Sequence, residues 1–334
     1  MDLLEELPEQ IFRDILLKVP YKFQQQIKQL LEPAKEMMEC PQFYQDRIKF
    51  GLAEKYICLL GTAAISLYDP VDQSCIMRIT IPSGFQASSD SQILCVKRNI
   101  ILVGLSFQGK HTTETLIYDV LSSSWKQAAQ IPTARSWFAC CASPEGSIYI
   151  AGGRTNFNPR RALRDAAVYK VDEDKWELLP EMHQEVGVCT GVSFKGMFYV
   201  IGNTCQRFDS NTGLWSTVNM VGQSLLSIYV LFEQLIGFGT NRIQQYDWKG
   251  NVWRELDPLP QELVQVSPRV WWGQIYATVW WDRIFLCGKD TDSIDQPTIF
   301  YMYKPGAPLS ERWISLDRLN LVDMEVVSVS TIEI

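Results

Sequence analysis

The feature that most constrains this chain is a recurrent spacing: an aromatic residue seven positions before a tryptophan. It occurs as Tyr118 with Trp125, Tyr169 with Trp176, Phe208 with Trp215, and Tyr246 with Trp253. ISLYDPVDQSCIM repeats it once more, with Cys75 in the Trp position below Tyr68. An Asp usually follows the aromatic, and Asp, Asn, Ser or Gly fill the gap. This spacing predicts that the aromatic ends one strand, a short polar turn reverses the chain, and the Trp opens the next antiparallel strand. Asp and Asn suit the turn because their side chains bond the local backbone and tolerate positive φ. A Trp buried between neighbouring sheets contributes roughly 2–3 kcal/mol. Five copies at constant spacing make a repeat.

A second signature lies upstream of several pairs, an apolar strand ending in Gly: ILVG (101–104), IYIAGG (148–153), FYVIGN (198–203), IGFG (236–239) and IFLCG (284–288). Gly at that point permits a backbone conformation or a close approach that a side chain would forbid. Strand–Gly, variable loop, strand ending in Tyr-Asp, turn and Trp-strand together resemble the kelch repeat, whose four-stranded units form a β-propeller. The resemblance covers roughly residues 52–334, with the Gly-Gly pair intact only at Gly152-Gly153. Trp-position strands near 75, 125, 176, 215, 253 and 313 give six blades, the last with a longer gap before Trp313. The first blade, starting at KYICLLG, lacks an innermost strand, and EVVSVSTIEI at the C-terminus has no blade of its own. Residues 325–333 are therefore expected to complete blade one and close the ring. The fold class expected is mainly β, a six-bladed kelch-type propeller, with a small α-helical unit at residues 1–50.

In that leader Leu7, Ile11, Ile15 and Val19 recur at four-residue spacing, with Phe12 and Leu16 beside them. This is one apolar face of an amphipathic helix. Pro8 and Glu9 suit its first turn, and Pro20 discourages its continuation. FQQQIKQLLEP follows with Phe23, Ile27, Leu30 and Leu31 on a face, expected to end at Pro33, and CPQFYQDRIKFG gives a short last helix before Gly51.

Composition narrows the function. Thirty-eight acidic against 31 basic residues give a net charge of -7, so nucleic acid and anionic membrane are poor electrostatic partners. The most apolar stretch, 225–239, is interrupted by Glu233 and Gln234 and is too short to span a bilayer. No secretory signal pattern opens the chain. Nine cysteines without a CxxC, most of them in apolar strand-like runs, point to the cytosol or nucleus, where disulfides are not expected. Only His111 and His183 are present, both in polar loop-like context, so the paired-His metal site of kelch-type oxidases has no counterpart here. The acidic loop DTDSID (Asp290, Asp292, Asp295) reads as a solvated loop rather than a metal site. No triad or phosphate-cradling Gly loop is visible, and no catalytic residue, metal or cofactor is expected.

The leader, with Leu7-Pro8 opening it and Pro41-x-Phe43 near its end, resembles an F-box. Followed by kelch repeats and RSWFACCASPEGSIYIAGG (135–153), the whole chain resembles a plant kelch-repeat F-box protein. The resemblance implies a non-catalytic adaptor. In this family the F-box binds a Skp-type adaptor of a cullin–RING ubiquitin ligase, and the propeller selects a protein substrate such as a metabolic enzyme or signalling regulator. It assigns adaptor contact to Leu7, Pro8, Ile11, Phe12, Ile15, Leu16, Val19, Leu30 and Leu31. The chain departs from the family at Leu30-Leu31-Glu32-Pro33-Ala34, where members usually carry Val-Cys-Lys-x-Trp. The alternative is a kelch scaffold that no longer engages the ligase.

For the substrate, loops carry recognition while strands build the scaffold. RTNFNPRRALRD places Arg154, Arg160, Arg161 and Arg164 in one variable loop suited to gripping carboxylates on a partner. Arg135, in PTARSW, stands equally for a contact or for a structural bond to loop carbonyls. WWGQIYATVWWDR (271–283) carries four tryptophans, for which core packing is the default.

Overall fold

The computed structural model describes residues 7–155, 161–218, 220, 227–239, 242–260, 275–288, 298–316 and 325–334. Among these, four short helices precede the first strand: α1 (Glu9–Leu17), α2 (Tyr21–Leu30), α3 (Glu32–Glu39) and α4 (Pro41–Lys49). Prolines punctuate them. Pro8 and Pro20 stand just before α1 and α2, and Pro33 and Pro41 lie in the first turns of α3 and α4. A proline there forfeits no helical hydrogen bond. Pro33 thus starts a helix instead of ending one, and α3 was not foreseen, because EPAKEMME lacks a long apolar stripe. Leu16, Leu17, Ala34, Met38 and Phe43 form the helical core.

The remainder forms six four-stranded antiparallel sheets, the blades of a propeller. Blade one combines β1 (Lys55–Gly61), β2 (Ala64–Asp69) and β3 (Ser74–Thr80) with the C-terminal β27 (Val326–Glu333). β27 runs antiparallel to β1 from Lys55 opposite Glu333 to Gly61 opposite Val326. Blade two holds β5 (Gln92–Val96), β6 (Asn99–Val103), β9 (Thr115–Asp119) and β10 (Ser124–Ala128). Its top loop carries a small extra sheet of β4 (Phe85–Gln86), β7 (Ser106–Phe107) and β8 (Lys110–His111). Blade three follows with β11 (Ala139–Ala142), β12 (Ser147–Ala151), β13 (Ala166–Lys170) and β14 (Lys175–Leu179). Blade four has β15 (Thr190–Phe194), β16 (Met197–Ile201), β17 (Cys205–Asp209) and β18 (Leu214–Val218). Blade five has β19 (Ser227–Leu231), β20 (Gln234–Phe238), β21 (Arg242–Asp247) and β22 (Val252–Pro258). Blade six has β23 (Ile275–Trp280), β24 (Arg283–Gly288), β25 (Ile299–Tyr303) and β26 (Trp313–Ser315). Six apolar cores fill the six gaps between neighbouring blades. One of them joins Phe285 and Met302 of blade six to Ile57 and Leu59 of blade one.

The register explains the repeat. Tyr118 lies directly opposite Trp125, Tyr169 opposite Trp176, Phe208 opposite Trp215, Tyr246 opposite Trp253, and Tyr68 opposite Cys75. Seven residues is the spacing of two cross-strand partners around one turn. In every copy the residue two before the Trp position has positive φ: Gln73, Ser123, Asp174, Gly213 and Asn251. The Asp after the aromatic holds the turn by accepting the N–H two residues on, at 2.9 Å for Asp69, 2.8 Å for Asp119, and 2.9 Å for both Asp209 and Asp247. Blade three has Lys170 there, and Asp174 takes over, accepting the Tyr169 hydroxyl at 2.6 Å. In blade six the longer gap holds a helical turn, α5 (Leu309–Arg312), and Tyr303 still pairs with Trp313. Three of these tryptophans also reach the blade before them: the indole N–H of Trp125, Trp176 and Trp215 donates to the carbonyl of Thr80, Ala129 and Pro180. Gly153 has φ of 87°, and a Cβ there would lie 2.6 Å from the Ser136 carbonyl oxygen. That is why the Gly-Gly pair stands where it does.

Candidate interaction surfaces at the two ends of the propeller

The innermost strands β27, β5, β11, β15, β19 and β23 pack side by side around a central channel of about 460 Å³. Each innermost strand is antiparallel to the second strand of its blade, so all six run the same way along the axis. The two ends of the propeller therefore differ. The aromatic–Trp turns lie at the end where the innermost strands finish. The long connections, including the arginine loop after Gly153, lie at the end where they begin.

The helices sit at the first end, on the turns of blades one and two. Tyr21, fully buried, donates its hydroxyl to the Val120 carbonyl at 3.1 Å. Lys28, 5% exposed, donates to the Leu121 carbonyl. Burial lowers its pKa, with the Glu39 carboxylate acting in the opposite sense. Gln25 donates to Ser123 at 2.8 Å, and Lys22 pairs with Asp72. Turn carbonyls at the end of a strand lack ladder partners, and these donors supply them. The inward face of α2 is accordingly Tyr21, Gln24 and Lys28. This corrects the apolar reading: Ile27 and Leu31 turn into the helical core, while Phe23 and Leu30 are exposed.

Arg47, 2% exposed, fastens the junction. It donates to the carbonyls of Leu17, Val19 (2.8 Å) and Leu52 (2.8 Å), and to the Glu54 carboxylate at 3.1 Å. Glu54 also accepts the Tyr21 N–H at 2.6 Å, while its main chain exchanges two hydrogen bonds with Ile334. One short segment thus ties both chain ends and three helices together.

A solvent-exposed face of α1 carries Ile11 and Ile15, 49% and 44% exposed. Pro8 is exposed beside them, Leu7, Phe12 and Val19 are half-buried, and Leu30 is 71% exposed. Leu16 is a correction to the expected contact set, since it is 3% exposed inside the helical core. Ala34, at the position where the resembling family has Trp, is fully buried in that core against a chain bend at Leu31. Ile48 and Phe50 at the end of α4 are also exposed. The sequence signal for them was their neighbourhood to Gly51, which ends the helix.

At the opposite end, Arg161 and Arg164 are exposed and Arg154 is half-buried. Arg164 donates to the Met182 carbonyl at 2.9 Å and lies 3.8 Å from Glu181. Arg160 lies outside the described residues. For Arg135 the structure favours the second alternative, a structural bond to loop carbonyls: at 1% exposure it is an internal clamp. It donates to the carbonyls of Thr133 (3.2 Å), Gly152 (3.0 Å) and Asp165 (3.3 Å), and pairs with the Asp165 carboxylate. Burial lowers its pKa and the Asp165 carboxylate opposes that. Its role is to hold the base of the arginine loop. On the small extra sheet, Phe107 stands exposed on β7, its ring 4.9 Å from Phe85.

Of the tryptophans at 271–283, Trp280 donates to the Lys55 carbonyl at 2.8 Å, and Trp281 lies 53% exposed under the Lys55 ammonium. Trp271, Trp272 and the DTDSID loop lie outside the described residues. His111 Nε2 is 3.7 Å from Asp90, and His183 is an exposed loop residue 3.5 Å from Thr217. Among the described residues no three His, Cys, Asp or Glu side chains converge as a metal site, and no helix is long and apolar enough to cross a membrane.

Comparison with known proteins agrees with this architecture. The Kelch motif model matches residues 138–183, which contain all four strands of blade three. An F-box/kelch-repeat protein of Arabidopsis thaliana is 24% identical over 313 residues, covering 80% of this chain and 85% of that protein. A second from the same plant is 28% identical over 174 residues, covering 47% and 45%. Human Kelch-like protein 23 is 25% identical over 231 residues, covering 64% of this chain and 40% of its own.

Proposed function

We propose that this kelch-repeat propeller, similar along most of its length to plant F-box/kelch-repeat proteins, is the substrate-recognition subunit of an SCF-type ubiquitin ligase. Residues 1–50 serve as the F-box-like domain and residues 52–334 as the receptor. The observation that carries this reading is the exposed apolar face of Ile11 and Ile15 on a helical unit fixed to one end of the propeller, away from its long loops. A Skp-type adaptor covers that face, with Pro8 and Leu30 at its margin, and connects the chain to a cullin–RING module. A protein substrate is held by the loops at the far end, Arg161 and Arg164 pairing with its carboxylates. The chemistry is positional. The propeller supplies no reacting group and holds the target near a charged ubiquitin-conjugating enzyme, so that transfer becomes effectively intramolecular. No cofactor, nucleic acid or membrane takes part, and the complex works in the cytosol or nucleus.

The second reading, a kelch scaffold without ligase contact, rests on Glu32 and Ala34 standing where resembling proteins carry Lys and Trp. Ala34 lies in the helical core, so its effect on docking is indirect. Co-expression with a Skp-type adaptor separates the two readings. The wild-type chain is expected to co-purify with the adaptor, and Ile11→Asp with Ile15→Asp is expected to lose it. A folded wild type that captures none selects the scaffold, and equal capture by both proteins misplaces the contact face.

A further inference from the structure

Cys58 lies on β1, in the blade assembled from both ends of the chain, and Cys95 lies on β5, the innermost strand of blade two. Their sulfurs are 3.7 Å apart, in contact across the interface between these blades. A disulfide requires about 2.05 Å, so the sulfurs need to close by about 1.7 Å for the bond to form. The two thiols differ in access. Cys58 is fully buried, whereas Cys95 is half-buried and lines the central channel. Burial pushes the Cys58 thiol well up, and its contact with Cys95 adds to this. It therefore suits the resolving role better than the attacking one.

We propose that Cys58 and Cys95 are a reversible oxidative cross-linking site, oxidised by a hydroperoxide that enters the central channel and reset by a dithiol reductant. The Cys95 sulfur attacks the terminal peroxide oxygen and the O–O bond breaks. The alcohol, or water when the oxidant is hydrogen peroxide, leaves with the thiol proton, and Cys95 becomes a sulfenic acid. The Cys58 sulfur then attacks the Cys95 sulfur, the S–O bond breaks, and hydroxide leaves as water with the Cys58 proton. Two thiols and one hydroperoxide give one disulfide, one alcohol and one water. The bond joins β1 of the blade that closes the ring to β5 of its neighbour, so oxidation restrains these two blades relative to each other.

The test uses the full chain with the exposed Cys75 changed to Ser, because Cys75 and Cys58 share one tryptic peptide. After hydrogen peroxide, alkylation and digestion, mass spectrometry is expected to find peptide 56–78 linked to peptide 79–97. Dithiothreitol is expected to release both. The melting temperature of the wild type is expected to rise by a few degrees on oxidation and to return on reduction. Cys58→Ser and Cys95→Ser are expected to lose both effects, while the peptide map itself needs neither variant to fold. Sulfinic acid on Cys95 without the link, a link from Cys95 to Cys140, or two intact thiols while exposed Cys40 is oxidised would each overturn the proposal.

Discussion

Replacing Arg47 by Met tests whether the helices and propeller form one cooperative unit. Arg47 is 2% exposed and supplies the carbonyls of Leu17, Val19 and Leu52. Met fills similar volume and leaves the Leu17 and Leu52 carbonyls without a donor, while the Val19 carbonyl keeps its bond from the Gln24 amide at 3.1 Å. Each buried acceptor left unsatisfied costs about 1–3 kcal/mol. Two effects reduce the sum. The substitution removes the desolvation cost that lowers the Arg47 pKa, and the Glu54 side chain is 33% exposed, so water replaces its lost partner. The net expectation is a loss of about 3 kcal/mol. Urea unfolding should show it in a single transition, followed by both far-ultraviolet circular dichroism and tryptophan fluorescence. Arg47→Lys keeps the charge but not the fork, and is expected to lose about half as much. A change under about 1 kcal/mol would refute the reasoning, as would early melting of the helices while propeller fluorescence is unchanged.

Other outcomes follow from the same geometry. Trp176→Ala removes the ring tilted against Tyr169 at a centroid distance of 5.0 Å and the indole bond to Ala129, and is expected to cost about 3 kcal/mol in urea unfolding. Deleting residues 325–334 strips blade one of its innermost strand and the core of Ile332 and Val327, so the melting temperature should fall sharply. An unchanged melt would contradict closure by β27. The turn carboxylates set an acid limb. The Gly250 and Lys249 N–H groups and Arg254 hold the Asp247 carboxyl below its usual value, and the Asn211 N–H does the same for Asp209. A carboxyl depressed in the folded state contributes stability above its unfolded pKa and loses it as pH falls through the folded value. The melting temperature is therefore expected to decline below about pH 4, and Asp247→Asn should flatten that decline.

The propeller was legible because its determinants are local. The aromatic–Trp spacing encodes a cross-strand pair and its turn within eight residues, and both strands of each pair carry the signal. The closing strand was legible by elimination, since a blade without an inner strand and a strand without a blade imply each other. The helices were read less well, for a definite reason. Pro33 looks the same whether it ends one helix or begins the next, and the inward face of α2 is Tyr21, Gln24 and Lys28, which no hydrophobic pattern would select. Tyr21 and Lys28 face inward because propeller turns present carbonyls, a demand created in three dimensions, and Gln24 bonds the Val19 carbonyl at the helix junction. Leu16 is placed inside for a related reason, and Arg135, open in sequence between contact and structural bond, becomes structural: sequence gives residue type, while Asp165 and the helical core decide which atoms remain outside.

The most direct test of the ligase reading is calorimetric titration of the purified full chain with a purified Skp-type adaptor. One site per chain is expected, with micromolar or tighter affinity, weakened at least about 100-fold by Ile11→Asp with Ile15→Asp while the melting curve holds. A well-folded wild-type chain that takes up no adaptor would contradict it.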